Sequence, residues 1–237
     1  MKKEEQLKQA KTLAVTFLHI PMTETEYSPI VVQHPFFESA FLYDGNLNNP
    51  IKMFNALEDT EKYNDYLYTY AKNVIEPCKS ISELVCLIRK SYRLTYLLFM
   101  RKEKIITKKE CGNLLAENWT LIENLSVDTN VEKSTVLSWI KAADKEKLMD
   151  EQELKKYQNF PDILTIYRGC RVAKAVKGMS WTLSESKARW FAGRFARDGG
   201  VTFRAYIHKE DIACYLAGRG EQEVVVDYRK LFDIEQI

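Results

Sequence analysis

Three short segments in the last third of the chain hold the side chains best suited to chemistry. Arg168 closes the alternating run Ile163 to Gly169, where period two puts it on one face with Leu164 and Ile166. Beside it, Gly169 lets a second backbone or a ligand come close. A guanidinium there calls for an anion: its forked donors suit a phosphate, and a salt bridge to Glu221 or Glu223 suits it equally. In Ser180-Trp181-Thr182, the two hydroxyls fall on one face of an extended segment and Trp181 points away, with helix capping as the plainer use of Thr182. Glu221-Gln222-Glu223 opens a valine-rich strand, and residues two apart on a strand share a face about 6.6 Å apart along its axis. Such paired carboxylates suit an oxocarbenium-like transition state. A charged strand edge that discourages aggregation has the same pattern.

The elements that must position these groups follow from the apolar periods. From Ile163 onward the pattern is β: Ile163 to Arg168 alternates, Val201 to His208 alternates, and Glu221 to Asp227 reads as a short strand with Val224, Val225 and Val226 in a row. One helix interrupts them. Thr182 or Ser184 caps it, Glu185 completes a capping box, Ala188, Phe191, Ala192 and Phe195 form its apolar face, and Gly199 and Gly200 end it. Before Asn159 the period is helical. Tyr63 to Val74, Ile81 to Phe99, Cys111 to Leu125 and Val136 to Ile140 each carry an apolar stripe, the last preceded by the capping residues Asp128, Thr129 and Asn130. Between Pro21 and Pro50, prolines, Gly45 and three asparagines predict loop, with one short helix at Phe36 to Phe41. The expected architecture is α+β: a helical region at 1–160, then a mostly antiparallel sheet with one prominent helix at 161–237, packed together as one unit.

Composition narrows the classes. With 237 residues, 46% apolar, 35 Lys and Arg and 33 Asp and Glu, the chain is ordinary globular protein and neither fibre nor disordered tail. A net charge of +2 leaves any nucleic-acid contact to a local patch, and Lys187, Arg189, Arg194 and Arg197 beside Trp190 make one such basic and aromatic strip. No run reaches the roughly 18 apolar residues of a membrane helix, and the start of the chain does not read as a secretory signal. Five cysteines without a Cys-x-x-Cys pair fit free thiols in a reducing cytoplasm. His19, His34 and His208 share no ligand spacing, so no metal is expected.

Taken in order, Tyr167-Arg168-Gly169, Ser180-Trp181-Thr182 with its following Ala188-x-x-Phe191-Ala192 helix, and Glu221-x-Glu223 resemble the Arg–Ser–Glu class of mono-ADP-ribosyltransferases, over about Ile163 to Asp227. The resemblance implies a split antiparallel sheet cleft that takes NAD as co-substrate. Arg168 matches the arginine on the NAD phosphates, with Gly169 and Thr182 alongside it. Ser180 matches the serine that orients the catalytic glutamate, and Glu223 the glutamate on the nicotinamide-ribose 2′-hydroxyl. Glu221 matches the acceptor-side carboxylate, and Tyr215 to Gly220, with Arg219, the substrate loop. Trp181 departs from the family's usual small residue at that place, and the aromatic that stacks on nicotinamide is open among Trp190, Phe191 and Phe203. One face lined by Arg168, Ser180 and Glu223 is the expected pocket.

The implied activity is transfer of ADP-ribose to an intracellular macromolecule, a protein arginine or an RNA base, with release of nicotinamide. The implied setting is a cytoplasmic toxin or phage-defence protein with a neutralising antitoxin or chaperone as possible partner. An NAD glycohydrolase, with water as acceptor, and a non-catalytic helical interaction module are the alternatives.

Overall fold

The computed structural model describes residues 2–44, 52–119, 128–194 and 199–237. The chain is mixed helix and sheet and divides into two compact units: Met1–Thr107 with Asn118–Val131, and Lys108–Glu117 with Glu132–Ile237. This division leaves residues 132–160 with the sheet, so position 160/161 marks the change of period rather than the edge of a compact unit.

In the first unit, helix α1 (Lys3–Leu18) buries Ala10, Ala14, Phe17 and Leu18. Phe17 meets the rings of Tyr96 and Phe99 edge-on, and the Tyr96 hydroxyl donates to the Ala10 carbonyl at 2.7 Å. The stretch expected as loop with a short helix instead holds two hairpins, β1 (Thr23–Thr25) with β2 (Ser28–Gln33), and β3 (Phe41–Asp44) with β4 (Lys52–Asn55). Pro29 fits because it sits next to the start of β2, where no ladder bond needs its missing N–H.

Helix α2 (Thr60–Tyr70), capped by Asp59, widens into a π turn at Ala71–Ile75. The stripe from Ile81 to Phe99 is two helices, α3 (Ile81–Leu87) and α4 (Arg93–Lys102), because Ile88 and Arg89 are extended. Arg89 is drawn out to donate to the carbonyls of Val32, His34 and Phe37. Arg93 turns back onto the carbonyls of Ile88 and Cys86, satisfying the end of α3. Asp128 also departs from expectation. It is buried and accepts from the Thr95 N–H and hydroxyl, both at 2.7 Å, so it caps α4 rather than the helix that follows it in sequence.

The second unit begins with α5 (Lys108–Glu117), which crosses α6 (Lys133–Ala142) at Gly112, where a Cβ would lie 2.2 Å from the Trp139 carbonyl oxygen. The expected continuation of α5 to Leu125 falls partly outside the described residues. Short helices α7 (Lys145–Leu148) and α8 (Glu151–Gln158) follow, the latter with a full capping box from Asp150 and Glu153. The sheet comprises β5 (Ile163–Cys170), β6 (Ser180–Thr182), β7 (Val201–His208), β8 (Ile212–Leu216), β9 (Glu223–Val226) and β10 (Phe232–Gln236), with helix α9 (Glu185–Gly193) between β6 and β7.

Strand order is β10-β7-β5-β6-β9-β8, antiparallel throughout. β5 pairs with β7 over its whole length, yet meets β6 only at Tyr167 opposite Thr182. The sheet is therefore two three-stranded halves joined by one ladder pair. Its β8 edge is closed by side chains: Lys145 Nζ donates to the Ala213 carbonyl at 2.7 Å, the Tyr157 hydroxyl to the Ile212 carbonyl at 3.2 Å, and the Tyr215 N–H to Met149 Sδ at 3.4 Å. Edge groups engaged this way offer no template to another strand.

Candidate functional site

The site is built around the narrow join of the two half-sheets. Thr182 pairs with both Tyr167 and Glu223, so these three residues form one row across β5, β6 and β9. Ser180, two residues back on β6, shares their face, and its partner on β9 is Val225. The structure thus brings Ser180 and Glu223 to one side of adjacent strands. Leu216 stands across from Glu223 on β8, with buried Cys214 in the next row. Burial pushes the Cys214 thiol far up, and the Glu223 carboxylate adds to that shift.

Arg168 behaves differently. One residue beyond Tyr167, it leaves β5 on the alternate face, so the single face expected to carry Arg168, Ser180 and Glu223 is not what the register gives. Its half-buried guanidinium turns toward β6: Nε donates to the Ala175 carbonyl at 3.0 Å and Nη1 donates to the Ser180 carbonyl. Among the described residues no carboxylate pairs with it, so the salt bridge to Glu221 or Glu223 does not form. Cys170 is the nearby titratable group. Burial raises its thiol and Arg168 pulls in the opposite direction. The guanidinium is thus braced by neutral oxygens.

The residue that makes room for this was not singled out in the sequence. At Gly178 a Cβ would lie 2.1 Å from Arg168 Nη2 and 2.3 Å from Cζ, so only glycine leaves the guanidinium where it is. A glycine two residues before the Ser180 strand is the signal that was available. Gly169 does admit a close neighbour, and the neighbour is α9: a Cβ there would sit 1.8 Å from the Ala188 carbonyl oxygen and 2.5 Å from the Ala192 nitrogen. Gly169 therefore packs on a second backbone, one of the two neighbours its sequence setting allowed.

Thr182 is buried, and its hydroxyl is fully engaged. It donates to the Glu221 carbonyl at 2.6 Å and accepts from the Ser184 N–H at 3.1 Å. Ser184 caps α9 through the Lys187 N–H, so the two candidate caps act in series, and Thr182 ties the helix start to the turn before β9. Trp181 fills the core behind β6, with Nε1 donating to the Gly178 carbonyl at 3.1 Å.

The two glutamates do not share a strand. Glu221 follows the 3-10 turn Gly218–Gly220 with helical backbone angles, Gln222 has φ +48°, and β9 begins at Glu223. The left-handed residue breaks the pleat, so the face-sharing expected from a spacing of two does not apply to Glu221 and Glu223. Each of them makes contacts of its own. In the expected substrate loop, Gly220 has φ +65° and Arg219 lies in the turn. Tyr215 is overturned as a loop residue. It belongs to β8, is buried, and meets Phe160 edge-on at 5.3 Å between ring centres.

Of the three aromatics left open, Phe203 is buried on β7, Phe191 is half-buried, and Trp190 is 52% exposed on α9. Phe195 and Arg197 lie outside the described residues. Among the described residues, no group of three His, Cys, Asp or Glu side chains is placed to hold a metal ion, and no helix is long and apolar enough to cross a membrane. No family model, curated protein or solved structure matches this chain.

Proposed function

We propose that this protein is an NAD-dependent mono-ADP-ribosyltransferase, with an ADP-ribosyltransferase-like split sheet as its catalytic core. One observation carries the reading: Arg168, Ser180 and Glu223 stand on three laterally consecutive strands at the point where the sheet narrows to a single ladder pair. The residue types suit NAD. A guanidinium held by carbonyls and not neutralised by a carboxylate fits the pyrophosphate, and a carboxylate on the Ser180 face fits the ribose.

Loss of nicotinamide leaves positive charge on the ribose, and a fixed carboxylate at the 2′-hydroxyl lowers that barrier without attacking. Glu223 is that group, Ser180 positions it, and Arg168 anchors the phosphates from the gap between β5 and β6. Glu221, in the turn just before, takes the acceptor's proton. The acceptor is a protein arginine or an RNA base in the protein's own cell, in keeping with a toxin or phage-defence role.

The test is incubation of the full chain with NAD labelled in its adenylate part and whole-cell lysate, then protease or nuclease treatment of the product. Transfer by the wild type and none by Glu223→Gln supports the reading. Nicotinamide release at the wild-type rate by Glu223→Gln refutes it.

A further inference from the structure

Helix α9 carries an exposed indole between two cations. Trp190 is 52% exposed, with Lys187 Nζ 5.6 Å from its ring centre one turn earlier and Arg194 Cζ 5.0 Å from it one turn later. Ala188 and Ala192 hold the opposite side of the helix against β5, and Phe191 braces the indole edge-on at 5.0 Å. Neither the core nor the site described above uses Trp190. The half-exposed indole is engaged by Phe191 and by the two cations, and the rest of its apolar surface faces water.

The segment that carries it is basic. Residues 168–194 contain seven Lys and Arg and a single acid, Glu185, which is taken up by Arg189 at 2.8 Å. Arg171, Lys174 and Lys177 follow β5 on an exposed stretch and, like Lys187, make no ion pair among the described residues. A basic strip with an exposed aromatic plane in it selects a polyanion that also offers flat apolar faces. A protein arginine would be repelled there, and a duplex keeps its base faces stacked.

We propose that the outer face of α9, centred on Trp190 with Lys187 and Arg194 on either side, is a stacking platform for single-stranded nucleic acid. A base lies on the indole and the cations engage the flanking phosphates. α9 starts three residues after Thr182, the partner of Glu223 across the strands, and Trp190 is about 8 Å further along its axis. Binding needs no NAD, so its test stands or falls apart from the reading above. Where both hold, the acceptor is the nucleic acid.

The experiment is fluorescence anisotropy of the full chain, without NAD, on labelled 15-nucleotide single-stranded RNA and DNA, with a hairpin duplex and polyglutamate as competitors. Three or four engaged phosphates predict roughly 20- to 50-fold weaker binding between 50 and 200 mM salt. Trp190→Ala should weaken binding about 5- to 100-fold with an unchanged melting temperature, and Trp190→Phe should restore most of it. RNA and DNA binding alike supports a shared stacking mode, and preference for RNA adds a 2′-hydroxyl contact to the same platform. Trp190→Ala within twofold of wild type overturns the proposal. So does equal competition by polyglutamate, which would make the face a site for acidic protein.

Discussion

Gly169 lies within β5 and Gly178 just before β6, and replacing each with alanine separates packing from ligand binding. At Gly169 the added Cβ would meet the Ala188 carbonyl oxygen at 1.8 Å, where ordinary contact begins at 3.4 Å. The obstacle is backbone, so α9 itself must retreat by about 1.6 Å, lifting Ala188 and Ala192 from their fully packed places. Overpacking of this severity costs about 2 to 4 kcal/mol, and at several degrees per kcal/mol the second unit should melt roughly 8 °C or more below wild type. At Gly178 the clash is 2.1 Å, but with Arg168 Nη2, the free end of a flexible side chain. Gly178 has φ −79° and ψ 161°, which alanine adopts without strain.

The guanidinium should therefore swing out, exchanging the Ala175 and Ser180 carbonyls for water at a cost near 1 kcal/mol. If Arg168 anchors NAD, Gly178→Ala should raise KM for NAD at least about 10-fold, the loss of one charged anchor, while kcat changes much less. Thermal melts and nicotinamide release read the two effects separately. A Gly178→Ala protein with wild-type KM shows that the position of Arg168 does not matter to NAD. A Gly169→Ala protein that melts like wild type contradicts the close approach of α9.

Glu223→Gln should lower nicotinamide release about 100- to 1,000-fold with little change in melting temperature, because charge is lost at constant shape; a collapsed fold would make Glu223 structural instead. Glu221→Ala should cut transfer to the macromolecule far more than it cuts nicotinamide release, since water replaces the acceptor; equal losses in a two-product assay would show one NAD-handling pair. His34 is buried, accepts from the N–H groups of Phe36 and Phe37, and has its pKa lowered from 6.5 to about 4, chiefly by burial. The unfolded chain takes up a proton below pH 6.5 that folded His34 refuses until about pH 4. Stability is thus fully present above 6.5 and should fall by about 2 kcal/mol between pH 7 and 5. Chemical denaturation of His34→Asn should lack this component, and an identical pH slope in both proteins would refute it.

The sheet was legible where one face of a strand is buried and the other is not. β7 buries Phe203, Ala205 and Ile207 on one face, and its bounds match Val201–His208 as read from the sequence. β8 was missed because Ile212 to Tyr215 is a continuous buried run: one side faces the sheet and the other takes side chains from α7 and α8, so no alternation appears. β10, at the other edge, carries Asp233 at φ +47° and a register shift, which erase its period. The break between α3 and α4 could not be read from a stripe that continues on both sides of it. It is set by Arg89, whose acceptors lie more than fifty residues earlier in the chain. The candidate site residues were picked by type and order, but the structure sets them on other faces than the alternation implied. Alternation was extrapolated through Gln222, and a single residue at φ +48° undoes it.

That same break gives the candidate site its shape. An extended Glu221 would have continued β9 and lengthened its ladder with β6. With Gln222 left-handed and Thr182 donating to the Glu221 carbonyl, β9 stops at Glu223 and the turn folds toward the start of α9. On the far side of β6 the ladder with β5 is limited to one pair, because beyond Tyr167 the space that Arg168 needs is taken from β6: its guanidinium occupies the Ser180 carbonyl and fills the room left by Gly178. β6 is thus three residues long, with Glu223 opposite Thr182 on one side and the Arg168 guanidinium on the Ser180 carbonyl on the other. Arg168 and Glu223 thus stand on the two strands that flank β6, on opposite faces of the sheet by register, and do not pair with each other.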